Sequence, residues 1–105
     1  MPDLIIAPID ESGTGSKVVI NGVSGQIIQV VGLYFQCNIA TTLTIKTGTT
    51  ARTGPMNFLA SGGISLPFTG NISYFDCADN EDFVFYFSGL TGQAGGQIFY
   101  YQYTP

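Results

Sequence analysis

Between Phe83 and Ser88 the chain reads Phe-Val-Phe-Tyr-Phe-Ser, which sets Phe83, Phe85 and Phe87 at a spacing of two. Extended backbone turns residues at that spacing to one side. Three aromatic rings on one face need an apolar layer opposite them. This run is therefore read as the central strand of a β core. No window carries apolar residues at helical spacing with caps around it. The other apolar runs are short and bounded by turn residues. Eight or so such strands indicate an all-β fold, a single antiparallel β-sandwich or jelly roll.

The remaining strands are placed by the same rule. Lys17 to Asn21 forms one, and Asn21-Gly22 is a hairpin signal by residue type. Gln26 to Asn38 is a long β-prone run whose alternation breaks: Ile28 and Val30 fall on one face, Leu33, Phe35 and Cys37 on the other. A bulge at Gly32 would bring both sets to the same side. Thr41 to Thr47 alternates well, with Leu43 and Ile45 against Thr42, Thr44 and Lys46. Met56–Leu59 and Ile64–Phe68 flank Gly62-Gly63 and read as a central hairpin joining two halves of one domain. Ser73 to Phe75 is a short strand, and Gly89 to Gly96 reads as a flexible loop. Gln97 to Tyr103 closes the chain, with Ile98 and Tyr100 on one face and Phe99, Tyr101 and Tyr103 on the other. Both faces are apolar or amphipathic, so one of them suits cover by another chain.

Residues 1–16 read as an N-terminal arm ahead of a β domain over residues 17–105. Pro2 and Pro8 bracket Leu4-Ile5-Ile6, and Asp10 to Ser16 is a solvated spacer. Such a segment is either a frayed terminus or an extension that docks Leu4, Ile5 and Ile6 on a neighbouring subunit as an added strand.

Composition excludes several function classes. Charged residues make up 10% of the chain, against a usual ~25%. The resulting surface of Ser, Thr, Gln, Asn and Tyr suits a protein that ends in an assembly. The three basic residues, Lys17, Lys46 and Arg52, are scattered, and the net charge is −4. A phosphate backbone calls for clustered cations, so no nucleic-acid partner is expected. No apolar run approaches the ~20 residues of a membrane helix, and no signal peptide is visible. The expectation is folding in a cytoplasm without a membrane partner. There Cys37 and Cys77 are expected as free buried thiols rather than a disulfide.

Catalytic chemistry finds little to work with. Without histidine, neither a Ser-His-Asp nor a Cys-His arrangement can form. No phosphate-cradling glycine motif leads from a strand into a helix. The carboxylates of the segment from Asp76 to Asp82 are the one constellation to weigh for Ca²⁺. Their spacing departs from that of an EF-hand loop, and a solvated loop whose charges guard a β edge is the reading adopted. No enzyme, cofactor or metal is expected. Asn71-Ile72-Ser73 fits the glycosylation pattern by chance. Tyr34, Tyr86, Tyr100, Tyr101 and Tyr103 can supply a face for sugar stacking or protein contact, since an aromatic with one wet end suits either.

The run from Gln26 to Tyr100 resembles a group of small tailed-phage virion proteins. It carries Ile28 and Val30 of an "I-x-V" strand, then Lys46 and Gly48 ending a threonine-rich strand. Gly54, Pro55 and Leu59 follow, then Gly62, Gly63, Ile64, Leu66 and Pro67 of a "G-G-I-x-L-P" turn. An aromatic strand and a final Gly96, Ile98, Tyr100 complete the layout. The family pattern has a glycine turn before the aromatic strand, where this chain has Ala78 to Asp82. The resemblance implies a capsid decoration, or cement, protein of the virion surface, assembled in the host cytoplasm. Its partner would be the major capsid protein of a phage, and it would act as a homo-dimer or homo-trimer. Leu4, Ile5, Ile6, Phe99, Tyr101 and Tyr103 are the expected contact residues. The alternative is a carbohydrate- or receptor-binding β module of a tail or head fibre.

Overall fold

The alternation of residues 83–88 sets the architecture. Phe83, Phe85 and Phe87 have no solvent exposure, while Tyr86 between them is exposed. The computed structural model, which describes residues 3–70, 72–89 and 92–105, is all-β, with no helix among those residues. Its strands are β1 (Ile5–Ser12), β2 (Gly15–Ile20), β3 (Ile27–Cys37), β4 (Thr41–Thr47), β5 (Thr50–Ala51), β6 (Met56–Phe58), β7 (Gly63–Leu66), β8 (Phe75–Cys77), β9 (Phe83–Ser88) and β10 (Gln93–Tyr103).

Two antiparallel sheets pack over one core. The first runs β1-β10-β3-β7, with β8 also on β3, and the second runs β2-β9-β4-β5, with β6 also on β4. β7 takes Leu33 to Gln36 of β3 and β8 takes Ile28 to Val30, so these short strands share one edge. β6 and β5 divide the free edge of β4 in the same way.

The core draws on both sheets. Ile9, Ile28, Val30, Leu33, Phe35 and Ile98 come from the first, and Ile20, Leu43, Ile45 and the three phenylalanines of β9 from the second. Phe35 meets Phe85 across the gap at 5.6 Å between ring centroids, and Phe75 meets Phe83 at 5.5 Å. Tilted rings at this separation add about 0.5–1.5 kcal/mol per pair beyond the area they bury.

β3 carries the expected bulge. Phe99 of β10 faces Gly32 and Tyr100 faces Val30, so Val31 is the extra residue. The shift returns Ile28 and Val30 to the side of Leu33, Phe35 and Cys37, and all five are buried.

Four local expectations need correction. Residues 5–12 are a strand of the first sheet, paired with β10 of the same chain from Ile5–Tyr100 to Ser12–Gln93, where an arm was expected. The Cα radius of gyration of 13.2 Å is that of a compact chain of this size, about 13 Å. Pro8 is tolerated because β1 is an edge strand. The Gly62-Gly63 turn makes no hairpin: β6 lies in the second sheet and β7 in the first. Ser61 N–H donates to the Cys37 carbonyl and Cys37 N–H to the Gly62 carbonyl, so the turn is tied to the end of β3. Asn21-Gly22 likewise crosses between sheets. Finally, Gly95 and Gly96 lie inside β10, where a Cβ on Gly96 would collide with the Tyr34 carbonyl.

Phe85 touches rings on both sides and has no exposure. Phe85→Ala is expected to cost about 3–5 kcal/mol, read as a fall in the urea midpoint. That is a large share of the 5–15 kcal/mol typical of a domain.

Candidate contact face

The outward face of the first sheet is apolar in its centre. On β1 the residues alternate, so Ile6 points out while Ile5, Ala7 and Ile9 point to the core side. Ile6 sits opposite Phe99, and Phe99 opposite Gly32, which aligns three strands in one row. Gly32 permits a close approach. A Cβ there would lie 3.0 Å from the Phe68 Cα and 3.2 Å from the Phe99 ring. Phe68 therefore lies down over β3, edge-on to Phe99 at 6.3 Å, with Tyr34 tilted on the same ring at 6.4 Å.

Much of this cluster stays uncovered. Ile6 is 54% exposed, Phe68 50%, Tyr34 44% and Leu4 38%. Phe99, Tyr101 and Tyr103 are half-buried. Amides border the rings. The Tyr34 hydroxyl donates to Gln97 Oε1 at 2.7 Å, and the Tyr103 hydroxyl to Gln29 Oε1 at 3.0 Å. Each of these bonds uses the amide oxygen and not its NH₂ group.

Of the sequence-derived contact residues, the fold brings Ile6 and Phe99 side by side. Leu4 immediately precedes β1, and Tyr101 and Tyr103 continue the outward row of β10. Ile5 is turned away from them, because adjacent residues of a strand face opposite sides. Phe68 was missed. Its only signal is that Pro67 breaks the run Ile64–Phe68 and frees Phe68 from the strand. The tyrosine group is divided. Tyr100 packs against the core, and Tyr86 lies on the second sheet with Lys46 Nζ 4.8 Å above its ring.

The acidic segment serves the fold. Asp82 Oδ1 accepts from Gly22 N–H at 2.6 Å and Asp79 Oδ1 from Gly25 N–H at 2.5 Å. Glu81 Oε1 accepts from Ala78 N–H at 3.0 Å, and the Asp82 carbonyl from Gly48 N–H at 2.7 Å. The Asp82 and Asp79 carboxylates clasp the β2–β3 corner to the segment before β9, where a freely solvated loop was expected. Among the described residues no group of three or more His, Cys, Asp or Glu is placed to hold a metal ion. Asn71 lies outside the described residues.

Cys37 and Cys77 are free and buried. Cys37 Sγ donates to the Gly62 carbonyl at 3.2 Å. Burial, reinforced by the charges of Glu81 and Asp76, pushes the Cys77 thiol up to about 12. Burial also raises the Tyr100 hydroxyl. Compared with known proteins, the chain matches no family model, no curated protein and no solved structure.

The raised thiol makes stability fall in alkali. Below pH 9.0 both folded and unfolded chains keep the Cys77 proton. Above it the unfolded chain ionises and the folded chain does not, so the contribution is lost as the pH rises towards about 12. Urea midpoints measured from pH 8 upwards are expected to drop more steeply above pH 9.0 in the wild type than in Cys77→Ala.

Proposed function

We propose that this chain is a non-enzymatic structural protein of a phage virion, a decoration protein that docks on the outer capsid surface and stabilises the shell. The observation that carries the reading is the uncovered apolar row of Ile6, Phe99, Phe68 and Tyr34 on the first sheet. A contiguous exposed apolar face marks an interaction surface. Aromatic side chains bordered by amides are what interface centres favour.

The strand order supports the finer fold assignment. β1, β10, β3 and β7/β8 make one sheet, and β2, β9, β4 and β6/β5 the other. The chain is thus a long antiparallel ribbon whose first half pairs with its second, β1 with β10 and β2 with β9, rolled over one core. This pairing supports reading the sandwich as a jelly roll, a fold found among viral capsid domains. The resemblance of the run from Gln26 to Tyr100 to small tailed-phage virion proteins supplies the phage context.

The mechanism is mass action. A protein that binds the assembled shell but not its dissociated subunits stabilises the shell by RT ln(1 + [L]/Kd), repeated at every site. The partner is the major capsid protein, and a homo-dimer or homo-trimer on a symmetry axis fits the role. A second reading, a glycan-binding module, draws on the amides of Gln97 and Gln29 beside the rings.

The test is co-sedimentation with empty capsids. Because residues 5–12 are an integral strand, point substitutions replace truncation. Ile6→Asp and Tyr34→Asp are expected to weaken capsid binding at least about tenfold, as removal of a central contact does. Val18→Asp, at an exposed site on the second sheet, is expected to leave it unchanged. Wild-type protein that ignores capsids and binds a glycan array would replace this reading with the second.

A further inference from the structure

The corner between β2 and β3 holds the chain's single Asn-Gly pair, Asn21-Gly22. At such a pair an asparagine side chain cyclises readily. The Gly22 backbone nitrogen loses its proton and attacks the Asn21 side-chain carbonyl carbon. A C–N bond forms, ammonia leaves, and a succinimide ring results. Water then opens the ring at either carbonyl, giving aspartate or isoaspartate. Glycine favours the attack because it has no Cβ to obstruct the approach. The peptide plane must also turn towards the side chain.

In the folded chain both sides of that peptide group are engaged. Gly22 N–H donates to Asp82 Oδ1 at 2.6 Å. The Asn21 carbonyl accepts from Gln102 Nε2 at 3.1 Å. A bond to a carboxylate is among the stronger hydrogen bonds a backbone amide makes. Space is also short on the Gly22 side. A Cβ there would lie 2.6 Å from the Asn80 carbonyl carbon and 2.7 Å from the Glu81 nitrogen. Asn21 itself is exposed, so water can reach it.

We infer that Asn21 is a deamidation site held shut by the fold, with the Asp82 carboxylate and the Gln102 amide clamping the Asn21–Gly22 peptide and setting its rate of conversion. Conversion has consequences for the corner. It adds a negative charge next to the residue that Asp82 holds. Isoaspartate also lengthens the backbone where the chain passes from the second sheet to the first. The inference stands apart from any role at a capsid, since it needs only the isolated chain.

The experiment is peptide mapping by mass spectrometry of the purified full chain, incubated at mildly alkaline pH. It reads the mass gained when NH₂ is replaced by OH, with isoaspartate detected by enzymatic methylation. Folded wild type is expected to convert Asn21 at least about tenfold more slowly than the guanidinium-denatured chain, because reaction must wait for local opening. Asp82→Ala and Gln102→Ala, checked for native circular dichroism, are each expected to raise the folded rate several-fold. Asp82→Asn keeps an acceptor for Gly22 N–H and is expected to stay slow. A folded wild type that reacts at the denatured rate overturns the inference. So do folded Asp82→Ala and Gln102→Ala chains that keep the wild-type rate. If Asp82→Ala does not fold, Gln102→Ala decides alone.

Discussion

One extra residue in β3 sustains both the core and the face outside it. A strand flips its side chains at every step, so an unbroken β3 would turn either Ile28 and Val30 or Leu33, Phe35 and Cys37 to water. Val31 absorbs the step, and all five are buried. The bulge also releases backbone groups from the ladder. The Val31 carbonyl accepts from Thr69 N–H at 2.9 Å and the Val30 carbonyl from Tyr74 N–H at 2.8 Å. These bonds anchor the segment between β7 and β8, and with it Phe68, over Gly32. The irregularity that closes the core is thus the one that builds the apolar row.

That dependence explains what was legible. Period-two runs name the strands at 17–21, 26–38, 41–47 and 83–88 closely, because burial on one side writes itself into alternation. The bulge was legible too, since a broken alternation with a glycine at the break has few other solutions. Partners were less so. Gly22 and the Gly62-Gly63 pair look like hairpin turns by residue type. Gly22 instead makes room for the Asn80 backbone, and Gly62 for the Leu59 carbonyl, 2.8 Å from where a Cβ would be. Glycine is demanded equally by a positive φ and by a close neighbour, and only the neighbour's position tells them apart.

The N-terminal strand shows the same limit. Pro8 and the polar run after it suggest an unpaired arm. Yet Ile5, Ala7 and Ile9 alternate with Ile6, Pro8 and Asp10, and that period places one side on the core. The residues of the exposed row were half legible for this reason. Ile6 and Phe99 became neighbours through a pairing between the two ends of the chain. Phe68 joined them through a loop whose course no local pattern records.

The edges and the face divide the surface between them. Exposed strand edges invite pairing with other chains. β1 has Pro8, which offers no amide donor, at its middle. β2 is bulged at Val19 against β9. The other two edges are split into short pieces, β7 with β8 and β5 with β6. Every edge is blunted, so strand addition is a poor route to association. The row around Phe99 has no such guard: Ile6, Tyr34 and Phe68 remain exposed on a chain with few charges anywhere. A surface blunted at its edges and open on one aromatic face is what the proposed docking calls for.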